Sequence, residues 1–324
     1  MQHATLAEAG TGATGGGTTA GAPRHASKRR GAFLIAVLLF TAFVAAYFAP
    51  VVFGGEVLLP WRFLYLGDPV FAPVAPPGPD FEHTNAVLAS DRVYQFHPWL
   101  DFNLRTLRSR DLPLWNPLSG AGSPHVALDQ TAVFDPLSTG VGLLLGKTAG
   151  ENARALLAIW LAGVGMLLFS RRRGLSTAAG LLAALAFAFG GWFIAWLGRP
   201  MTAAACWLPW ILWGLDRQLR DERPARESLL VAIFVALSLF AGHIETTAHI
   251  LLLAGAYALF QAWRLEPRRM VRRAVSAISA LVAGIGLGAV AVLPFATFLL
   301  GDAGGPGVRG GPDLTTIERI FAGL

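Results

Sequence analysis

The strongest constraint on this chain is a series of long apolar runs separated by short basic linkers. The runs are Gly31–Phe53, Asn152–Ser170, Leu175–Leu197, Thr202–Leu215, Ser228–Ala241, Thr246–Trp263 and Ala277–Leu300. A helix needs ~20 mostly apolar residues to cross a bilayer. Helices cross because hydrocarbon offers no water to the backbone, so its polar groups must pair internally. Composition agrees, with 54% hydrophobic and 14% charged residues, where soluble domains carry about 25% charged. The fold class expected is an all-α integral membrane protein. It has about seven transmembrane helices and a long first extracytoplasmic loop containing interfacial helices.

Charge distribution sets the expected orientation. With the N-terminus inside, the inner segments hold 16 of the 26 Lys and Arg residues against 6 acidic ones. They include Arg171–Arg173, Arg217–Arg226 and Arg264–Arg273. This is the positive-inside pattern, and it places the C-terminus outside. The net charge of +6 and pI of 10.2 therefore report topology. They do not indicate nucleic acid, because no basic stripe interleaves with stacking aromatics. Cys206, the single cysteine, rules out an intrachain disulfide and reads as a buried small residue.

Residues 1–30 are expected to form a disordered cytoplasmic N-terminus, rich in Gly, Ala and Thr up to residue 23. An alternative makes Gly31–Phe53 part of a signal peptide, with Val44-Ala45-Ala46 near its cleavage site. Residues 31–324 form the membrane domain, with an outer loop at 54–150 and an outer tail at 301–324. Within the tail, Asp313–Ile320 reads as a helix start. Pro136–Gly146 is apolar but too short to cross, and suits an interfacial or re-entrant piece.

Polar, aromatic, Gly and Pro residues are concentrated at Ser90–Pro124. Asp91 and Gln95 share a helical face at i, i+4. Pro98 suits the first turn of a new helix. Over Pro98–Arg110, Leu100, Leu104 and Leu107 fall on one side, with Asp101 and Arg105 spaced to pair on another. Such a helix lies along a membrane surface. Leu112–Pro124 holds too much Pro and Gly for regular structure, and Trp115 suits the headgroup level. Gly284, Gly286 and Gly288 are read as close helix packing.

The runs SDRVYQFHPW, LPLWNPLSGAGSPH and DQTAVFDPL resemble the first outer loop of the YfhO-type family of bacterial membrane proteins. CWLPWILWGLD and AGHIETTAH extend the resemblance in the same order. That family is similar to GT-C glycosyltransferases, and this chain would be a short or truncated member. The resemblance implies a bacterial plasma-membrane protein that transfers a sugar from a polyprenyl-phosphate donor to a cell-envelope acceptor. It implies a catalytic acid in the first outer loop, which nominates Asp91.

The chemistry of such a transfer needs three kinds of group. A hydroxyl acceptor needs a general base, the role given to Asp91, which also suits a helix cap. A departing phosphate needs Arg, Lys or a cation. Arg62, Arg92 and Arg199 are the outer arginines nearest the span ends or Asp91, with Arg199 held in a three-residue turn. Gln95, His97, Arg199, His243 and Glu245 are the expected substrate-binding residues. Glu245 and His249, one helical turn apart with His243 nearby, also resemble part of a divalent cation site. Two other classes remain: a non-catalytic scaffold or partner subunit, and a transporter of lipid-linked saccharides. A transporter would place ionisable residues at the bilayer midplane, where this chain has almost none.

Overall fold

A computed structural model of the protein describes residues 22–67, 69–74, 90–220 and 224–302. The expectations for the first 21 residues, for most of the Pro-rich linker before Ser90, and for Asp313–Ile320 fall outside these ranges.

The described chain is mostly helical. In order it forms α1 (Ala22–Tyr47), α2 (Ala49–Val52), α3 (Arg62–Gly67), α4 (His97–Arg108), α5 (Val141–Leu145), α6 (Lys147–Arg172) and α7 (Thr177–Ala188). There follow α8 (Gly191–Ala195), α9 (Pro200–Ala205), α10 (Leu208–Arg220), α11 (Pro224–Phe240), α12 (Ile244–Leu265), α13 (Met270–Leu287) and α14 (Ala289–Asp302). One two-residue ribbon pairs Trp115–Asn116 with Ser123–Pro124. Among the described residues, four segments are long and apolar enough to cross a membrane: Arg30–Tyr47, Lys147–Arg172, Thr177–Ala195 and Pro267–Leu287.

Several expected spans are interrupted. Leu175–Leu197 divides between α7 and α8, and Thr202–Leu215 divides between α9 and α10 at Cys206–Trp207. Pro209 follows that second break; its ring fits only the first turn of a helix, because it has no N–H to give. The Ala277–Leu300 run spans α13 and α14, with Gly288 between them.

The core is built around α6 and α10. Helix α6 packs on α1, α7 and α10, and α11 packs on both α10 and α13. Small residues let the backbones approach. A Cβ at Gly163 would meet the Phe40 ring at 2.0 Å, and one at Gly284 would meet Val235 Cβ at 2.5 Å. Gly288 sits equally tightly against Leu239, whereas Gly286 has open space. Two of the three glycines expected to pack closely do so. Cys206 is fully buried.

One end of the bundle is fastened by ion pairs. Asp216 has no solvent exposure, and its carboxylate accepts from Arg172 Nε at 3.0 Å, Arg173 Nη1 at 2.8 Å, Arg220 Nε at 3.0 Å and the Tyr257 hydroxyl at 3.0 Å. Beside it, Arg217 grips Glu227 through two bonds of 2.7 Å. Together these contacts join α6, α10, α11 and α12.

Candidate functional site

The loop at the other end folds on its own polar network. A π-helical stretch, Arg92–Phe96, runs into α4, whose first turn contains Pro98. Helix α4 buries Leu100, Asn103 and Leu104, and Leu104 packs against Gly142 in α5. It is therefore a packed element with one exposed side. On that side Arg105 reaches Asp101 at 2.7 Å, as the spacing predicts, and Lys147 joins at 3.0 Å.

Asn103 holds the next segment in place. Its Nδ2 donates to the Thr131 carbonyl at 2.8 Å. Its Oδ1 must then accept the 2.8 Å bond from His125 Nε2. Burial drives the His125 pKa down to about 4, so this imidazole stays neutral. Asp135, 1% exposed, accepts from Leu137 N and Ser138 Oγ and faces Arg154 at 3.5 Å.

This scaffold and the α11–α12 turn enclose a cleft of about 350 Å³. Its walls include Gln95, Trp99, Asp129, His243, Glu245 and Phe295. The turn is close-fitting: Gly242 has φ +79°, and a Cβ there would meet the Asp129 carbonyl oxygen at 2.4 Å. Only glycine fits both demands. Asp129 Oδ2 accepts the Ile244 N–H at 2.7 Å, at the start of α12. Burial raises the Asp129 pKa to about 6, opposed by that N–H.

His243 caps α12. Its Nδ1 accepts from Thr246 N at 3.2 Å and lies 2.9 Å from Thr246 Oγ1. An accepting Nδ1 places the proton of the neutral ring on Nε2. Burial lowers the His243 pKa, partly countered by Glu245 and reinforced by His249. The cleft thus combines a half-buried carboxylate with a raised pKa, a neutral imidazole, an amide, an exposed acid and two aromatic faces.

Of the residues nominated from sequence, Gln95, His243 and Glu245 meet in this cleft. His97 lies instead at Glu151, while Arg199 interacts with Arg92 and with Asp91. His97 Nδ1 lies 3.1 Å from Glu151 Oε1, and the ring meets Trp61 edge-on at 5.1 Å. Arg92 Nη2 lies 3.8 Å from Glu151 Oε2, and the Arg92 guanidinium fills the space over Gly198. Arg199 is 1% exposed, stacks on Trp196 at 4.8 Å and donates to the Ala195 carbonyl at 3.2 Å. Its Nε and Nη2 have no hydrogen-bond partner, and neither do those of Arg92.

The charges in this second cluster act on one another. Burial brings the Arg92 pKa down to about 10, helped by Arg154 and Arg199 and opposed by Glu151. Burial also lowers that of Arg199, against the pull of Asp91. Asp91 itself is exposed and makes no side-chain cap bond.

Asp129 is the site residue that sequence reasoning passed over, although it opens the DQTAVFDPL run. Its distinguishing partner is a backbone N–H far along the chain, which leaves no residue-type signal. Among the described residues, no group of three or more His, Cys, Asp or Glu side chains could hold a metal ion. Comparison with protein-family models, curated proteins and solved structures finds no match to this chain. The likeness to the YfhO-type family therefore stands on the quoted motifs alone.

Proposed function

We propose that the chain crosses a bacterial plasma membrane about seven times, N-terminus inside and C-terminus outside, and transfers a sugar on the outer face. The donor is a polyprenyl-phosphate sugar and the acceptor a hydroxyl of a cell-envelope polymer. The observation that carries this reading is the cleft itself, where Gln95, Asp129, His243 and Glu245 converge beside Trp99 and Phe295. Amide, imidazole and carboxylate groups suit sugar hydroxyls, and aromatic faces suit the apolar faces of a sugar ring.

In this reading the acceptor oxygen bonds to the anomeric carbon as the bond from that carbon to phosphate oxygen breaks. The electron pair leaves with the polyprenyl phosphate, and the acceptor proton passes to a carboxylate. Asp129 is placed for that role, because burial raises its pKa to about 6 and a base works best near the operating pH. Asp91, the acid nominated from sequence, stands beside Arg199. In this reading Arg92 and Arg199, with unpartnered N–H groups, supply the positive charge that steadies the donor phosphate.

The test compares Asp129→Asn and Asp91→Asn in cells that lack the native protein, with membrane levels matched. Sugar decoration of envelope polymers is expected to collapse with Asp129→Asn and to fall less with Asp91→Asn. Wild-type decoration from both variants would remove the transferase reading and leave the scaffold.

A further inference from the structure

A second cavity, of about 600 Å³, lies between α1, α6 and α7 at the Asp216 end of the bundle. Its walls are Ala32, Phe33 and Ala36 of α1, Leu167 and Arg171 of α6, and the segment from Gly174 into the first turns of α7. It shares no residue with the cleft that contains Asp129.

Arg171 is the informative member. It belongs to the run Arg171-Arg172-Arg173, of which the second and third arginines are committed to Asp216 at 3.0 and 2.8 Å. Successive helical residues point about 100° apart, so the first arginine turns away from that carboxylate. Its guanidinium lies over the Phe33 ring at 4.8 Å, at the wall of the cavity. The hydroxyl residues Ser176 and Thr177 lie on the same rim. The other walls are alkyl or aromatic.

The cavity lies at one end of two apolar helices, α1 and α7. Most residues of the Arg30–Tyr47 and Thr177–Ala195 spans are not buried. Leu175, itself a wall of the cavity, is 51% exposed. Among the described residues, one cation and two hydroxyl residues at the rim, with apolar walls beside them, match an amphiphile that has an anionic head and acyl chains. A basic pocket between membrane helices recognises lipid phosphate in this way.

We infer that this cavity binds the headgroup of an anionic glycerophospholipid, with Arg171 as the phosphate contact and the α1–α7 flank receiving an acyl chain. Charge complementarity favours a phosphodiester, and the apolar walls from Phe33, Leu167 and Leu175, beside spans that are mostly unburied, favour a lipid over free phosphate. The inference is independent of the sugar-transfer reading.

The experiment is native mass spectrometry on the purified full chain in detergent, titrated with phosphatidylglycerol or phosphatidylcholine. Wild type is expected to retain phosphatidylglycerol preferentially, with the preference reduced about fivefold by Arg171→Gln, the effect of one arginine at an anionic lipid surface. Thermal unfolding verifies that this variant folds. Thr177→Trp, an exposed position at the rim, blocks the cavity without touching the arginine, and is expected to remove the retained lipid. Undiminished preference in either variant overturns the site. So does an equal loss from Arg268→Gln, an exposed arginine elsewhere on that end, since general surface charge would then suffice. Displacement of the lipid by millimolar inorganic phosphate would assign the cavity to a soluble anion.

Discussion

Asp216 and Asp129 are the same residue type at opposite ends of one helical bundle, in contrasting states. Asp216 is fully buried and takes bonds from three arginines and a tyrosine. Asp129 lies at a cleft wall and takes a 2.7 Å bond from a backbone N–H. A carboxylate supplied with cations has no use for a proton and serves as a fastener. A carboxylate buried with little compensation keeps its proton chemistry within reach of neutral pH.

The comparison breaks first if the under-supplied acid proves idle. Asp129→Asn is expected to lower sugar transfer by roughly 10²–10⁴-fold, the usual worth of general base catalysis. Measured transfer to a polymer acceptor in membranes checks it. Asp216→Ala is expected to act on folding instead. Stranding three guanidinium groups destabilises by about 3–5 kcal/mol, read as a large fall in the thermal midpoint in detergent.

A pH series sharpens the same contrast. The folded Asp129 pKa of about 6 exceeds the ~3.9 of an unstructured aspartate. Its contribution to stability is thus present below the unfolded value and is lost as pH rises through about 6. Wild type should lose more stability than Asp129→Asn across that window. Transfer activity should rise through the same window as the carboxylate loses its proton. A rate that is flat from pH 5 to 7 would contradict the assignment.

Smaller effects separate the arginine cluster from the loop surface. Gly198→Ala places a methyl group at φ +77°, 2.4 Å from the Arg92 guanidinium carbon. It should destabilise by about 1–2 kcal/mol from the left-handed backbone alone. Asp101→Ala removes two ion pairs at the surface, to Arg105, which is mostly exposed, and to Lys147. Its effect on the thermal midpoint should be near the detection limit, on the order of 0.3–0.5 kcal/mol.

What the sequence made legible follows the range of the interactions. The apolar runs announced a helical protein with membrane-crossing segments, because hydrocarbon length is a local requirement. The Asp101–Arg105 pair and the packing at Gly284 and Gly288 were likewise visible from spacing. Helix breaks at Phe189–Gly190 and Cys206–Trp207 were not, because apolarity continues through both. Nor were the partners of Asp216, which come from three helices. His97 read as a substrate contact from its place beside Asp91. The ring nitrogen lies instead against Glu151, 54 positions later, where only the fold could bring it.

The bond from Ile244 to Asp129 joins residues 115 positions apart. At a translation rate of ~5–20 residues per second, the loop emerges roughly 6–23 seconds before the turn that supplies the opposite wall of its cleft. During that interval Asp129 has no α12 terminus to accept from, and the wall carrying His243 and Glu245 does not yet exist. The newly made loop thus carries only part of its cleft until the later helices arrive. Its cleft assembles only when α11, α12 and Phe295 of α14 have been delivered beside it.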